Sequence, residues 1–173
     1  KLGGMIMTVG FWVIAFVILL IVGNLMAAKP KIHEVRLGEF RLLARKKGLN
    51  PKLIATPEWL KNNQKLTQNQ KTSMITQYTL VNDNWRNPLM HFIFDGQIWH
   101  NLGDVDFFVR ISPPDNLSPY FVGMLIKANS ISLYWRDESY LQKFSVRENI
   151  STTMEHDLTA LSDYLSQILS VDA

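Results

Sequence analysis

From Met5 to Ala28 the chain carries no charged residue, and Thr8 and Asn24 are its strongly polar side chains. About two dozen apolar positions at roughly 1.5 Å rise make a helix of some 36 Å, enough for a bilayer core of about 30 Å. The pattern changes at Pro30. From Lys31 to Lys47 apolar residues recur at helical spacing. Leu37, Phe40 and Ala44 share one face, flanked by Ile32, Val35 and Leu43, with Glu34, Arg41 and Arg45 set opposite. Gly48 is placed to cap this helix, and Pro51 forbids its continuation.

Beyond Pro51 the period shortens. Lys52 to Thr56 reads as a short strand ended by Pro57. Lys61 to Thr72 is dense in Asn, Gln and Lys and has no apolar period, so it is expected to be an exposed, mobile loop. Gln77 to Val81 is β-rich and runs into a turn at Asn82-Asp83-Asn84. Leu89 to Phe94 and Gln97 to His100 flank Asp95-Gly96, a strong two-residue hairpin signal. Val105 to Ile111 is a further apolar run closed by Pro113-Pro114. Tyr120 to Lys127 and Ser130 to Trp135 flank Ala128-Asn129 as a second hairpin. The last helix starts near Thr152, where Thr152 and Glu155 have capping-box spacing. Met154, Leu158, Leu161, Leu165, Ile168 and Leu169 form its core-facing stripe.

Two amphipathic helices need one apolar sheet face to cover. The expected fold class is therefore α+β: one N-terminal transmembrane helix, then an antiparallel sheet with two amphipathic helices on one face. The expected divisions are a transmembrane segment over 1–28, a basic juxtamembrane helix over 29–51, and a cytoplasmic α+β domain over 52–173 that packs with the 31–47 helix.

Charge gives the apolar segment a direction. Residues 29–52 hold eight basic and two acidic residues, net +6, whereas 53–173 are net −4. Lys1 is the only basic residue on the N-terminal side. The positive-inside rule then places the N-terminus outside and the C-terminal domain in the cytoplasm. Phe11 and Trp12 fall near the outer interface, where aromatic rings are favoured. A cleaved signal peptide fits poorly, because the apolar run is too long and a basic cluster follows Ala27-Ala28 at once. Lys29, Lys31, Arg36, Arg41, Arg45, Lys46 and Lys47 form a membrane-surface set, each attracted to anionic lipid by roughly 1 kcal/mol when held near it. The basic balance lies beside the membrane rather than on the domain, which argues against nucleic acid as a partner. Gly23 and Ala27 make a small-xxx-small pair that lets two helices approach closely, so a homo-oligomer is an open alternative. The chain opens on Lys, and Met5 and Met7 are the candidate native starts.

Candidate chemistry is sparse. There is no cysteine, which excludes disulfides, thiolate metal sites and a Cys nucleophile. No phosphate-cradling glycine loop or nucleophile elbow is present. None of the four histidines has metal-ligand spacing, and no metal or cofactor is called for. The best constellation for a ligand or metal is His91, His100, Asp104 and Asp106, two histidines on paired strands followed by two aspartates in a turn. Asp137-Glu138 reads as a solvated acidic turn. Trp59, Trp85, Trp99 and Trp135 read as core anchors, any one of which would also suit a ligand groove.

The basic segment, Leu42-x-x-Arg45-x-x-Gly48-Leu49 and Tyr134-Trp135 together resemble a group of uncharacterised single-pass proteins of proteobacterial inner membranes. Some of that group are labelled as similar to the small accessory subunit of the preprotein translocase. The resemblance implies a bacterial inner-membrane location and carries over no functional residue. The expected function is a non-enzymatic interaction or accessory subunit of a membrane complex, its partner another inner-membrane or membrane-proximal protein. The alternatives are a ligand sensor using an aromatic groove on the sheet, and an enzyme acting at the membrane surface through His91, His100 and Asp104.

Overall fold

The computed structural model describes residues 2–27, 32–66, 73–103, 108–144 and 150–169, with side chains described from residue 10 to 23 in the first of these segments. The chain divides into two compact units, Lys1–Val35 and Arg36–Ala173.

The first unit is built on α1 (Leu2–Ala27). Its described side chains are outward-facing and apolar, among them Phe11, Trp12, Ile14, Phe16, Leu19 and Ile21. Among the described residues no helix is long and apolar enough to cross a membrane, so the span expected over Met5 to Ala28 is without support there.

The second unit is α+β. Its six strands are β1 (Asn50–Ala55), β2 (Met74–Val81), β3 (Met90–Phe94), β4 (Trp99–Asn101), β5 (Phe121–Lys127) and β6 (Ser130–Trp135). They form one antiparallel sheet in the order β1-β2-β6-β5-β3-β4. Period-2 alternation divides the side chains between two faces. Tyr78, Phe92, Phe94, Met124, Ile131, Leu133 and Trp135 face a large core. That core is closed by α2 (Ile32–Lys46) through Phe40 and Ala44, by the short α3 (Asp137–Gln142), and by α4 (Ser151–Ile168). Ile75, Leu125 and Tyr134 face the other way, under Trp59, Leu60 and Leu66.

Gly48 has φ +80°, a conformation that only glycine adopts without strain. The amide of Leu49 donates to Ala44 O and that of Gly48 to Arg45 O, the paired bonds of a Schellman cap. The stop signal therefore works as the sequence indicates. The α4 stripe also matches: Met154, Leu158, Leu161, Leu165, Ile168 and Leu169 are all buried.

Four local expectations fail. The capping box does not form. α4 opens after Ile150 without a side-chain cap, and Glu155 instead pairs with Lys47 at 3.1 Å. The start of the Asn/Gln-rich loop is packed rather than free. Leu60 and Leu66 cover the sheet, and buried Asn63 donates to Val122 O at 2.8 Å. A β-bulge at Val122 accompanies this contact, an extra residue between the Phe121 and Gly123 pairings. Residues 67–72 lie outside the described residues. Phe108, Val109 and Arg110 form no strand, although Val109 and Ile111 pack on the core. This run contributes side chains to the core without joining the ladder. Finally, α3 occupies the segment read as an acidic turn.

Candidate functional site

Of the histidine constellation, His91 and His100 are among the described residues. Ile93 pairs with His100, so His91 and His100 share the outer face of the β3–β4 hairpin. Each has a different neighbour there. The His91 ring stands edge-on to Trp59 at 5.0 Å. His100 Nε2 meets Asp95 Oδ2 at 2.7 Å. Asp95 Oδ1 also accepts the amides of Gln97 and Ile98, closing the turn in which Gly96 takes φ +120°. Hydrogen bonding to His100 and then to those amides holds the Asp95 carboxyl well below the usual range. Asp104 and Asp106 lie outside the described residues. Among the described residues no three His, Asp or Glu side chains are grouped to hold a metal.

Trp99 fills space in the core, whereas Trp135, buried in the same core, also lines a cleft. Trp99 and Trp135 are buried beneath the helices, and Trp99 Nε1 donates to Tyr164 Oη at 2.7 Å. Trp59 lies on Tyr134 and His91 over the outer face.

The basic set is divided too. Lys29 and Lys31 lie outside the described residues. Arg45 and Lys46 are exposed, and Lys47 is paired with Glu155. Arg36 is part-buried. Arg41 turns inward. On the helical wheel it lies only about 40° from Leu37, at the border of the apolar stripe rather than opposite it. Its Nε donates to Asp137 Oδ2 at 2.9 Å and its Nη2 to Thr76 Oγ1 at 3.1 Å.

Asp137, expected in solvent, is 1% exposed. Besides Arg41 it accepts Thr76 Oγ1 at 2.9 Å, Tyr78 Oη at 3.2 Å and the Glu138 amide at 2.9 Å. Burial alone would lower the Arg41 pKa, but the hydrogen bond and charge of Asp137 outweigh it and leave it raised. Burial, then the Asp137 charge, pushes the Tyr78 hydroxyl well above its usual value. A carboxylate has about four lone-pair sites, and here the donors already fill them. Asp137 therefore has no free lone pair with which to act as a base or bind a metal. It clamps α2, β2 and α3 together.

This clamp forms one wall of a cleft of about 360 Å³. β6 stops at Trp135 opposite Thr76, while β2 extends on to Met74 without a β6 partner. The gap is walled by Leu53, Leu66, Met74 and Ile75 on the apolar side and by Arg136, Ser139 and Gln142 on the polar side. Sequence periodicity gave no sign of it, because the cleft arises where two strands end at different places. A second buried carboxylate, Asp157, accepts Tyr140 Oη and Asn116 Nδ2 and ties α3 to α4. No protein-family model, curated protein or solved structure matches this chain.

Proposed function

We propose that the protein is a membrane-anchored, non-enzymatic interaction subunit. In this reading the N-terminal segment lies in the bacterial inner membrane with its N-terminus outside, and the α+β unit works in the cytoplasm as an accessory part of a membrane complex. The observation that carries the reading is the uninterrupted outward apolar surface of α1 from Phe11 to Val22. Such a surface in water far exceeds what scattered exposed apolar residues account for, and lipid or an apolar partner must cover it. The saturation of Asp137 supports binding rather than chemistry. Arg45 and Lys46, exposed at the end of α2, suit anionic headgroups or an acidic partner.

The test is extraction and topology together. The full chain should stay with membranes through an alkaline carbonate wash, and a reporter fused after Ala173 should be active only in the cytoplasm. Release by carbonate removes the anchor, and a reporter active only in the periplasm reverses the orientation.

A further inference from the structure

The outer side of α2, turned away from the core, sets one leucine among charges. Leu42 is 53% exposed. Glu39 and Lys46, both exposed, lie on one flank of it. They are seven residues apart, about 10 Å along the helix and nearly two full turns, so they project to the same side. Gly38 and Arg45, also exposed, lie seven apart on the other flank. A Cβ at Gly38 would meet nothing within 4 Å, so that flank is open to close approach. Among the described residues Glu39, Arg45 and Lys46 enter no ion pair. Beside Leu42, between α2 and the start of α4, opens a cleft of about 470 Å³ whose apolar lining is Leu42, Leu43, Ile150 and Met154.

We propose that this face of α2 pairs antiparallel with the same face of a second copy of the chain, the two leucines at position 42 meeting on the two-fold axis. The placement of the charges selects this occupant. Glu39 stands three residues before Leu42 and Lys46 four residues after it. A two-fold axis at Leu42 reverses the helix and exchanges those places, so Glu39 of each copy meets Lys46 of the other. On the opposite flank Arg45 of each copy passes over Gly38 of the other, where no side chain blocks it. A parallel pair would set Arg45 and Lys46 of one copy beside Lys46 and Arg45 of the other, which is repulsive. An anionic bilayer would attract Arg45 and Lys46 but repel Glu39, whereas a second copy offers the opposite charge to both signs. The cleft beside Leu42 gives the incoming leucine apolar surface to cover.

The chain has no cysteine, so single cysteines report the pairing directly. The full chain in zwitterionic detergent is oxidised with copper phenanthroline, and disulfide-linked dimer is read on a non-reducing gel. Leu42→Cys should cross-link to itself several-fold faster than Asp83→Cys, a control in the exposed turn after β2. A mixture of Glu39→Cys and Lys46→Cys chains should form the mixed dimer several-fold faster than either forms its own. In the Leu42→Cys background, Glu39→Lys or Lys46→Glu alone should slow the cross-link several-fold, and mixing those two chains should restore it. The melting transition of each variant reports whether it folds. Leu42→Cys no faster than the control, a predominance of like-with-like dimers from Glu39→Cys and Lys46→Cys, or indifference to Glu39→Lys in a folded chain each overturns the proposal. If Leu42→Cys stays monomeric and anionic vesicles, but not zwitterionic ones, shield its thiol from a water-soluble maleimide, the face belongs to lipid and the second copy is wrong.

Discussion

Replacing Arg41 by Met isolates the clamp, because it keeps the length of the side chain and removes its charge. Asp137 then remains with its side chain 2% exposed and no counter-ion. Removing one partner of a buried pair typically costs about 3–5 kcal/mol. Two features place this pair at the lower end, about 3 kcal/mol. The Arg41 side chain keeps 25% of its exposure, and Thr76, Tyr78 and the Glu138 amide still donate to Asp137. That loss is a large share of a typical 5–15 kcal/mol domain stability. The double variant Arg41→Met with Asp137→Leu removes both charges and should lose at least about 1.5 kcal/mol less than the two single losses added together. Urea denaturation of the full chain, followed by tryptophan fluorescence, measures all of these. A loss below about 1 kcal/mol for Arg41→Met, or additive single losses, would refute a functioning clamp.

Phe40→Ala should destabilise the second unit by about 3–5 kcal/mol, since the ring is fully buried against Tyr78, Trp135 and Tyr140; the shift in urea midpoint is the check. Gly123→Ala puts a Cβ against the Leu60 side chain and 3.1 Å from Phe92 O, and should cost about 1–3 kcal/mol by the same assay. Burial pushes the Tyr164 hydroxyl up to about 12, against the lowering effect of the Trp99 hydrogen bond. Its contribution to stability is complete below the unfolded value of about 10 and is lost as the pH rises toward 12, so Tyr164→Phe should flatten alkaline denaturation in that window. The same change strands the Trp99 indole donor and should cost about 1–3 kcal/mol at neutral pH, read by thermal denaturation.

Helix α4 and the cap at Gly48 were legible in the sequence because both depend on local rules: a 3.6-residue period and a backbone conformation open to glycine. The second hairpin was legible for the same reason, Lys127 pairing with Ser130 across Ala128-Asn129, whereas the first turns over four residues rather than Asp95-Gly96 alone, with Phe94 paired to Trp99. The α+β class follows from those elements, since amphipathic faces must find a partner. What the sequence did not show is where unlike elements meet. Asp137 follows a strand and looks like a turn carboxylate, yet α2 brings Arg41 to it across 96 positions of chain. The cleft likewise depends on where β6 ends relative to β2, and Asn63 is ordered by a carbonyl 59 residues away. Periodicity records which face of an element is buried. Burial of a polar group is decided by donors and charges from other elements, because only their convergence repays its lost hydration.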